Sequence, residues 1–277
     1  MDAINIKNQV YSGAEGRKSL VDLTIPAEFN NQLIVFIHGY MGYKDWGCWN
    51  IVEKYFTDLG FGFCKYNVSH NGGTIENPID FTDLEAFGEN NYSKELTDLQ
   101  CILNWLETQF NDLPSITLVG HSRGGGIALL TALDKRVDKV VSWAGICDIE
   151  KRFPTGSELK VWKTQGTRYV VNGRTNQKMP NKYSQYEDFE ANKEKLNIQK
   201  VCEVSKKPTF LIHGDADTSV DVEEGKLIAS WRRTRIFEIE EADHTFGSSQ
   251  PWPETTLPEH LEKVCFLTVS FLAIEGL

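Results

Sequence analysis

The sequence predicts an open, mostly parallel α/β sheet flanked by helices and interrupted by one long insertion. Three observations carry that prediction. Unbroken apolar runs of strand length recur along the chain, and several close in Gly or His-Gly. Continuous rather than alternating runs fit strands covered on both faces, as in a parallel sheet. Segments with apolar residues at helical spacing lie between the runs. Finally, residues 148–205 break the rhythm with Pro154, Gly156, Gly166, Gly173 and Pro180, and a connection that long reads as an inserted cap rather than a structureless loop.

Taken in order, two weaker strands around Ile4–Tyr11 and Ser19–Ile25 form an antiparallel start. Leu33–Ile37 is the first strong strand, followed by a helix over Trp46–Leu59 and a strand over Phe61–Asn67. The helix over Ser93–Phe110 sets Leu96, Leu99, Ile102, Leu103 and Leu106 on one face. Ile116–Val119 is a strand, Gly125–Lys135 a helix and Val137–Trp143 another strand. Inside the insertion, 166–174 reads as a strand with an Asn-Gly turn and Glu187–Leu196 as a helix. Thr209–Ile212, the helix Val222–Trp231, the strand Arg235–Glu240 and the helix Leu257–Leu272 complete the pattern. The expected organisation is a core of residues 1–147 and 206–277 around a cap of 148–205.

Composition narrows the function. The chain has 277 residues and a net charge of −10, from 29 basic and 39 acidic side chains. Such a surface repels phosphate backbones and anionic bilayers, so neither nucleic acid nor membrane is an expected partner. No apolar run reaches the ~20 residues of a membrane helix, and the first residues lack the basic patch and apolar stretch of a secretion signal. Cys48, Cys64, Cys101, Cys147, Cys202 and Cys265 show no paired spacing and read as reduced thiols in a cytoplasmic protein. His38, His70, His121 and His213 lack metal-ligand spacing, and no metal or other cofactor is expected.

The chemistry concentrates at Gly120-His121-Ser122-Arg123-Gly124, which follows a predicted strand and opens a predicted helix. This is the context of the nucleophile elbow, where a serine on a sharp strand-to-helix turn needs glycine neighbours to fit. A serine hydroxyl needs a base, and His244 follows the last strand in Glu241-Ala242-Asp243-His244. His260, in the final helix, is the weaker rival. The acid belongs between serine and histidine, and His213-Gly214-Asp215-Ala216-Asp217 offers Asp215 and Asp217.

These motifs resemble those of the α/β-hydrolase superfamily over roughly residues 20–275. His38-Gly39-Tyr40, Gly120-His121-Ser122-Arg123-Gly124-Gly125 and a medium insertion after the strand ending near Trp143 are similar to cinnamoyl and feruloyl esterases and to dienelactone-hydrolase-like proteins. The spacing of Gly214, Asp217 and Val220 matches the family's acid loop, which implies Asp217 as the acid, with Asp215 shaping the loop. The resemblance further implies backbone amides of Tyr40 and Arg123 as the oxyanion hole. Trp143, Trp162, Tyr169 and Tyr183 are candidates for an aromatic-accepting pocket, while Arg168 and Arg174 read as solvated cap charges. The activity implied is cofactor-independent hydrolysis of a small carboxylic ester, aromatic or short-chain, through an acyl-enzyme. The resemblance extends to acyl-aminoacyl peptidases, so a small acyl-peptidase or aminopeptidase is the first alternative. A non-catalytic binding protein on the same scaffold is the second. The sequence does not set the oligomeric state.

Overall fold

The computed structural model describes residues 3–274. Its strands are β1 (Ile4–Ser12), β2 (Lys18–Ile25), β3 (Gln32–Ile37), β4 (Gly62–Tyr66), β5 (Ser115–His121), β6 (Val137–Trp143), β7 (Thr167–Val171), β8 (Lys178–Lys182), β9 (Thr209–Gly214) and β10 (Ile236–Ile239). The helices are α1 (Trp49–Asp58), α2 (Leu84–Glu89), α3 (Tyr92–Glu107), α4 (Arg123–Leu130), α5 (Gly156–Gln165), α6 (Ser184–Ala191), α7 (Ile198–Val204), α8 (Val222–Arg232) and α9 (Glu259–Leu272). Eight strands form one sheet in the order β1-β2-β4-β3-β5-β6-β9-β10, and β7 pairs with β8 separately. The pairs β1–β2 and β2–β4 are antiparallel, and every other pair of the large sheet is parallel.

The unbroken apolar runs are explained by layers on both faces. Along β3, Leu33, Val35 and Ile37 join the core under α3, α4 and α8, while Ile34 and Phe36 join the core under α1 and α9. Successive strand side chains point to opposite faces, so a strand covered twice is apolar throughout. The parallel order also brings the carboxyl ends of β3, β5, β9 and β10 to one edge, where ligands bind in open α/β sheets.

The insertion between β6 and β9 holds α5, the β7–β8 hairpin, α6 and α7. The first of these helices escapes a periodicity search because it buries only Trp162. It stops at Gly166, which takes φ of 74°. The expected two-residue Asn-Gly turn is instead a wider loop. The amide of Asn172 bonds the Gln177 carbonyl, and the Asn172 side chain accepts from the Arg174 amide. The helix expected at Glu187–Leu196 lies earlier, at α6. Next, α7 buries Ile198 and Cys202 in the main core beside α4 and α8. The helix expected at Gly125–Lys135 begins at Arg123 and ends at Leu130. All six cysteines are unpaired, and five of them are buried.

Candidate active site

Ser122 sits between β5 and α4 with φ 57° and ψ −120°, a conformation that costs a non-glycine residue of order 1–3 kcal/mol. The flanking glycines are steric necessities. A Cβ on Gly120 would lie 2.1 Å from the Gly124 carbonyl oxygen, and one on Gly124 would lie 2.2 Å from that of Ile37. The turn lifts the hydroxyl clear of the sheet, and His244 Nε2 stands 2.8 Å from Ser122 Oγ.

His244 comes from the loop after β10, and Asp217 from the loop after β9. The two loops interlock, since the Ala216 amide donates to the Ala242 carbonyl and the Asp215 carboxylate accepts from the Glu241 amide. His244 Nδ1 lies 2.7 Å from Asp217 Oδ2. The other carboxylate oxygen, Oδ1, accepts the amides of Ser219 and Val220 at 2.8 and 2.9 Å. Burial alone raises the Asp217 pKa, but hydrogen bonds from His213, His244 and the Val220 amide outweigh it and hold the carboxyl well below the usual range. Asp217 therefore stays ionised beside the imidazole.

Three further histidines hold the loops. His38 accepts from the Val68 amide at Nε2, so its Nδ1–H donates to Gly39 O at 2.9 Å. This ties the loop after β3 to the segment after β4. Burial lowers its pKa to about 4, which keeps it neutral. His121 Nε2 donates to the His244 carbonyl at 2.8 Å, and burial lowers its pKa to about 3. His213 Nε2 donates to Val220 O at 2.8 Å and sits 3.3 Å from Asp217 Oδ2. Their position at strand ends was visible in the sequence, but their hydrogen-bonding partners were not.

The loop after β3 lies against the serine. A Cβ on Gly39 would come within 3.1 Å of Ser122 Cβ. Residues 39–42 form a tight turn closed by the Gly42 amide on Gly39 O, with Met41 at φ 55°. The ring of Tyr40 reaches across to the insertion, where its hydroxyl donates to Asn181 Oδ1 at 3.0 Å. Arg123 points its side chain to its own set of partners. Its guanidinium lies 3.8 Å from the Tyr92 ring centroid, with Nε 2.9 Å from Glu95 Oε1.

Two clefts meet at Ser122 and His244. One, of about 490 Å³, runs under the insertion past Tyr40, Tyr92, Arg123, Phe153, Arg168 and Val170. The other, of about 590 Å³, passes Gly39–Gly42, Trp46, Trp49, Arg174 and 248–250. The aromatic candidates fall elsewhere. Trp143 lies fully buried in the sheet core, with Nε1 bonded to Thr268, and lines neither cleft. Its place at the end of β6 suited a pocket wall, but its side chain faces the layer of α1 and α9. Trp162 is buried with Nε1 on the Asn181 carbonyl and supports the hairpin from behind. Tyr169 points to solvent at 63% exposure. Tyr183 packs edge-on against Trp162. His260 sits in the first turn of α9 and lines neither cleft. Among the described residues, no helix is long and apolar enough to cross a membrane.

The sheet order gives the protein the α/β-hydrolase fold. The Esterase family ("Putative esterase") matches residues 68–255, and the chain belongs to it. No curated protein matches the sequence. Among solved structures, the chain is similar to Est1E from Butyrivibrio proteoclasticus with ferulic acid bound, at 16% identity and TM-score 0.72, covering 95% of this chain and 98% of that one. It is also similar to a dienelactone hydrolase from Anabaena variabilis, at 18% identity and TM-score 0.63, with 98% of each chain covered. A serine hydrolase without lid from Xanthomonas campestris aligns at 13% identity and TM-score 0.59, over 98% of this chain and 94% of that one. At these identities the likeness concerns the fold. Family and fold together support a hydrolase acting on esters.

Proposed function

We propose that the protein is a serine hydrolase of carboxylic esters that works through an acyl-enzyme. One observation carries the reading: Ser122 Oγ, His244 and Asp217 stand in a continuous hydrogen-bonded chain of 2.8 and 2.7 Å on a strained elbow. Ser122 attacks the acyl carbon while His244 Nε2 takes its proton. Asp217 fixes the Nδ1–H tautomer and stabilises the imidazolium that forms. The amides of Tyr40 and Arg123 hold the tetrahedral oxyanion, the second of them at a helix N-terminus where the backbone dipole favours negative charge. His244 then returns the proton to the leaving alcohol, and water repeats the cycle. The two clefts that meet at Ser122 give the acyl and alcohol halves separate compartments. The segment 148–205 serves as the cap over one of them, with the Tyr40–Asn181 bond linking it to the oxyanion loop.

Turnover of 4-nitrophenyl acetate, with Ser122→Ala as the comparison, tests this reading. The variant is expected to lose activity by about four orders of magnitude or more, since removing a triad member leaves only the background stabilisation. A fluorophosphonate probe is expected to label wild-type protein at Ser122 and to leave the variant unlabelled. Wild-type turnover by Ser122→Ala sinks the proposal.

A further inference from the structure

The cleft under the insertion has a charge character opposite to that of the protein. The chain carries a net charge of −10, yet this cleft is lined by Arg123, Lys151, Arg152 and Arg168 and by no Asp or Glu. Two of the four cations have a carboxylate partner: Arg123 has Glu95, and Arg152 has Glu224. Arg168 has none within ion-pair distance among the described residues; Glu158 of α5 acts on it only at longer range. Its guanidinium rests 4.6 Å from the Trp162 ring centroid, and one nitrogen reaches the Arg152 carbonyl at 3.4 Å.

Three guanidinium groups at this cleft hold buried nitrogens with no hydrogen-bond partner among the described residues: Nη2 of Arg123, Nε of Arg152 and Nε of Arg168. Buried donors are normally satisfied, and an orphaned charged donor is expensive. The side chain of Arg123 is itself more than nine-tenths buried and borders Ser122. Arg168 is presented by β7 opposite Asn181 of β8, the residue that binds the Tyr40 hydroxyl. The rest of the lining mixes apolar Ile146, Phe153, Val170 and Val220 with polar Asn181, Gln185 and Ser219.

We propose that this cleft binds a free carboxylate on the substrate, with Arg168 as the residue that selects it and Arg123 as its neighbour nearer the serine. The proposal rests on the ester-hydrolase reading and names its substrate class. The substrate is an ester in which an apolar spacer separates the scissile carbonyl from a carboxylate. A planar guanidinium fork matches the two oxygens of a carboxylate, and the side chains of Ile146, Phe153 and Val170 accommodate the spacer between charge and ester.

Paired chromogenic esters test this. The first pair is 4-nitrophenyl hydrogen adipate and its methyl-capped, uncharged counterpart; the second is 4-acetoxybenzoate and its methyl ester, which move the charge to the alcohol side. Wild-type kcat/KM is expected to favour the anionic member of one pair by about ten- to a hundred-fold, the range of a charge-assisted hydrogen bond. Arg168→Gln is expected to bring that ratio to near one, and Arg168→Lys to keep part of it, with thermal midpoints reported alongside. Equal rates within both pairs, or a loss in Arg168→Gln that is the same for charged and neutral esters, overturns the proposal. Calorimetric binding of adipate to Ser122→Ala and to the same protein carrying Arg168→Gln reads the carboxylate site without turnover. If no ester is hydrolysed, the hydrolase reading fails, while adipate binding lost on Arg168→Gln still supports the anion site and its absence overturns it.

Discussion

Replacing Asp217 by Asn tests the proposed base more sharply than deleting it. Asp217 Oδ1 accepts the amides of Ser219 and Val220 at 2.8 and 2.9 Å. An Asn at this position keeps its carbonyl oxygen there, because the amide nitrogen would bring two more donors against those two N–H groups. Its NH₂ group then occupies the place of Oδ2, facing His244 Nδ1 at about the present 2.7 Å. A ring nitrogen facing a donor must accept, so the imidazole proton moves to Nε2. That nitrogen is the one 2.8 Å from Ser122 Oγ, and once protonated it has no lone pair for the serine proton. His213 compounds the conflict, because its Nε2–H lies 3.3 Å from the same Oδ2 position. A base locked in the wrong tautomer costs about 10⁴ in kcat, roughly 5 kcal/mol at 1.36 kcal/mol per decade. The assay is kcat for 4-nitrophenyl acetate at pH 7, with circular dichroism to confirm folding. Activity within ten-fold of wild type in a folded Asp217→Asn protein refutes the assignment of Asp217.

Other outcomes follow from the same geometry. Gly124→Ala places a Cβ 2.2 Å from the Ile37 carbonyl oxygen, backbone that cannot retreat, so denaturant unfolding should show a loss of at least about 3 kcal/mol. Lys65→Met removes the buried ammonium that pairs Asp45 and Glu53 at 2.7 and 2.9 Å, leaving the carboxylates of Asp22, Asp45 and Glu53 to share only Lys44 and the more exposed Lys7. The expected cost is about 3–5 kcal/mol, and a change under about 1 kcal/mol in urea unfolding would contradict it. Acid sensitivity should come from His38, His70 and His121, whose pKa values burial lowers to about 4, 4 and 3. The stability they contribute is intact above an unfolded value of about 6.5 and is lost as pH falls towards the folded values, about 2 kcal/mol each between pH 7 and 5. Asp98, raised to about 6 by burial, works the other way and returns about 1 kcal/mol over that interval. A net loss of about 5 kcal/mol is thus expected in urea titrations, with a flatter slope in His121→Asn.

Much of the fold was legible because its strands are covered on both faces. An apolar run such as Leu33–Ile37 carries its own signal, and β6 appears with the bounds its sequence implied, Val137–Trp143. The insertion was less legible because its elements bury little. Helix α5 covers only Trp162, and in β7 no residue of Thr167–Val171 is fully buried. Aromatic identity also misled, since Trp143 has a residue type suited to a pocket but faces α1 and α9.

The sequence alone specified the sheet, the elbow at Ser122 and the loops that carry His244 and the Asp215–Asp217 pair, because these depend on local patterns: apolar runs, glycines where Cβ atoms would collide, and polar loops closing strands; the choice of Asp217 rested on the family resemblance. The tertiary structure alone decided what depends on distance between remote segments. It set His38, His121 and His213 as struts holding the loops, the first two kept neutral by burial. It turned Trp143 inward and Tyr169 outward. It also gathered Arg123, Lys151, Arg152 and Arg168 around one cleft of an acidic protein. Charges that read as scattered along a chain acquire a collective meaning only when folding gathers them around one cleft and shields them from water.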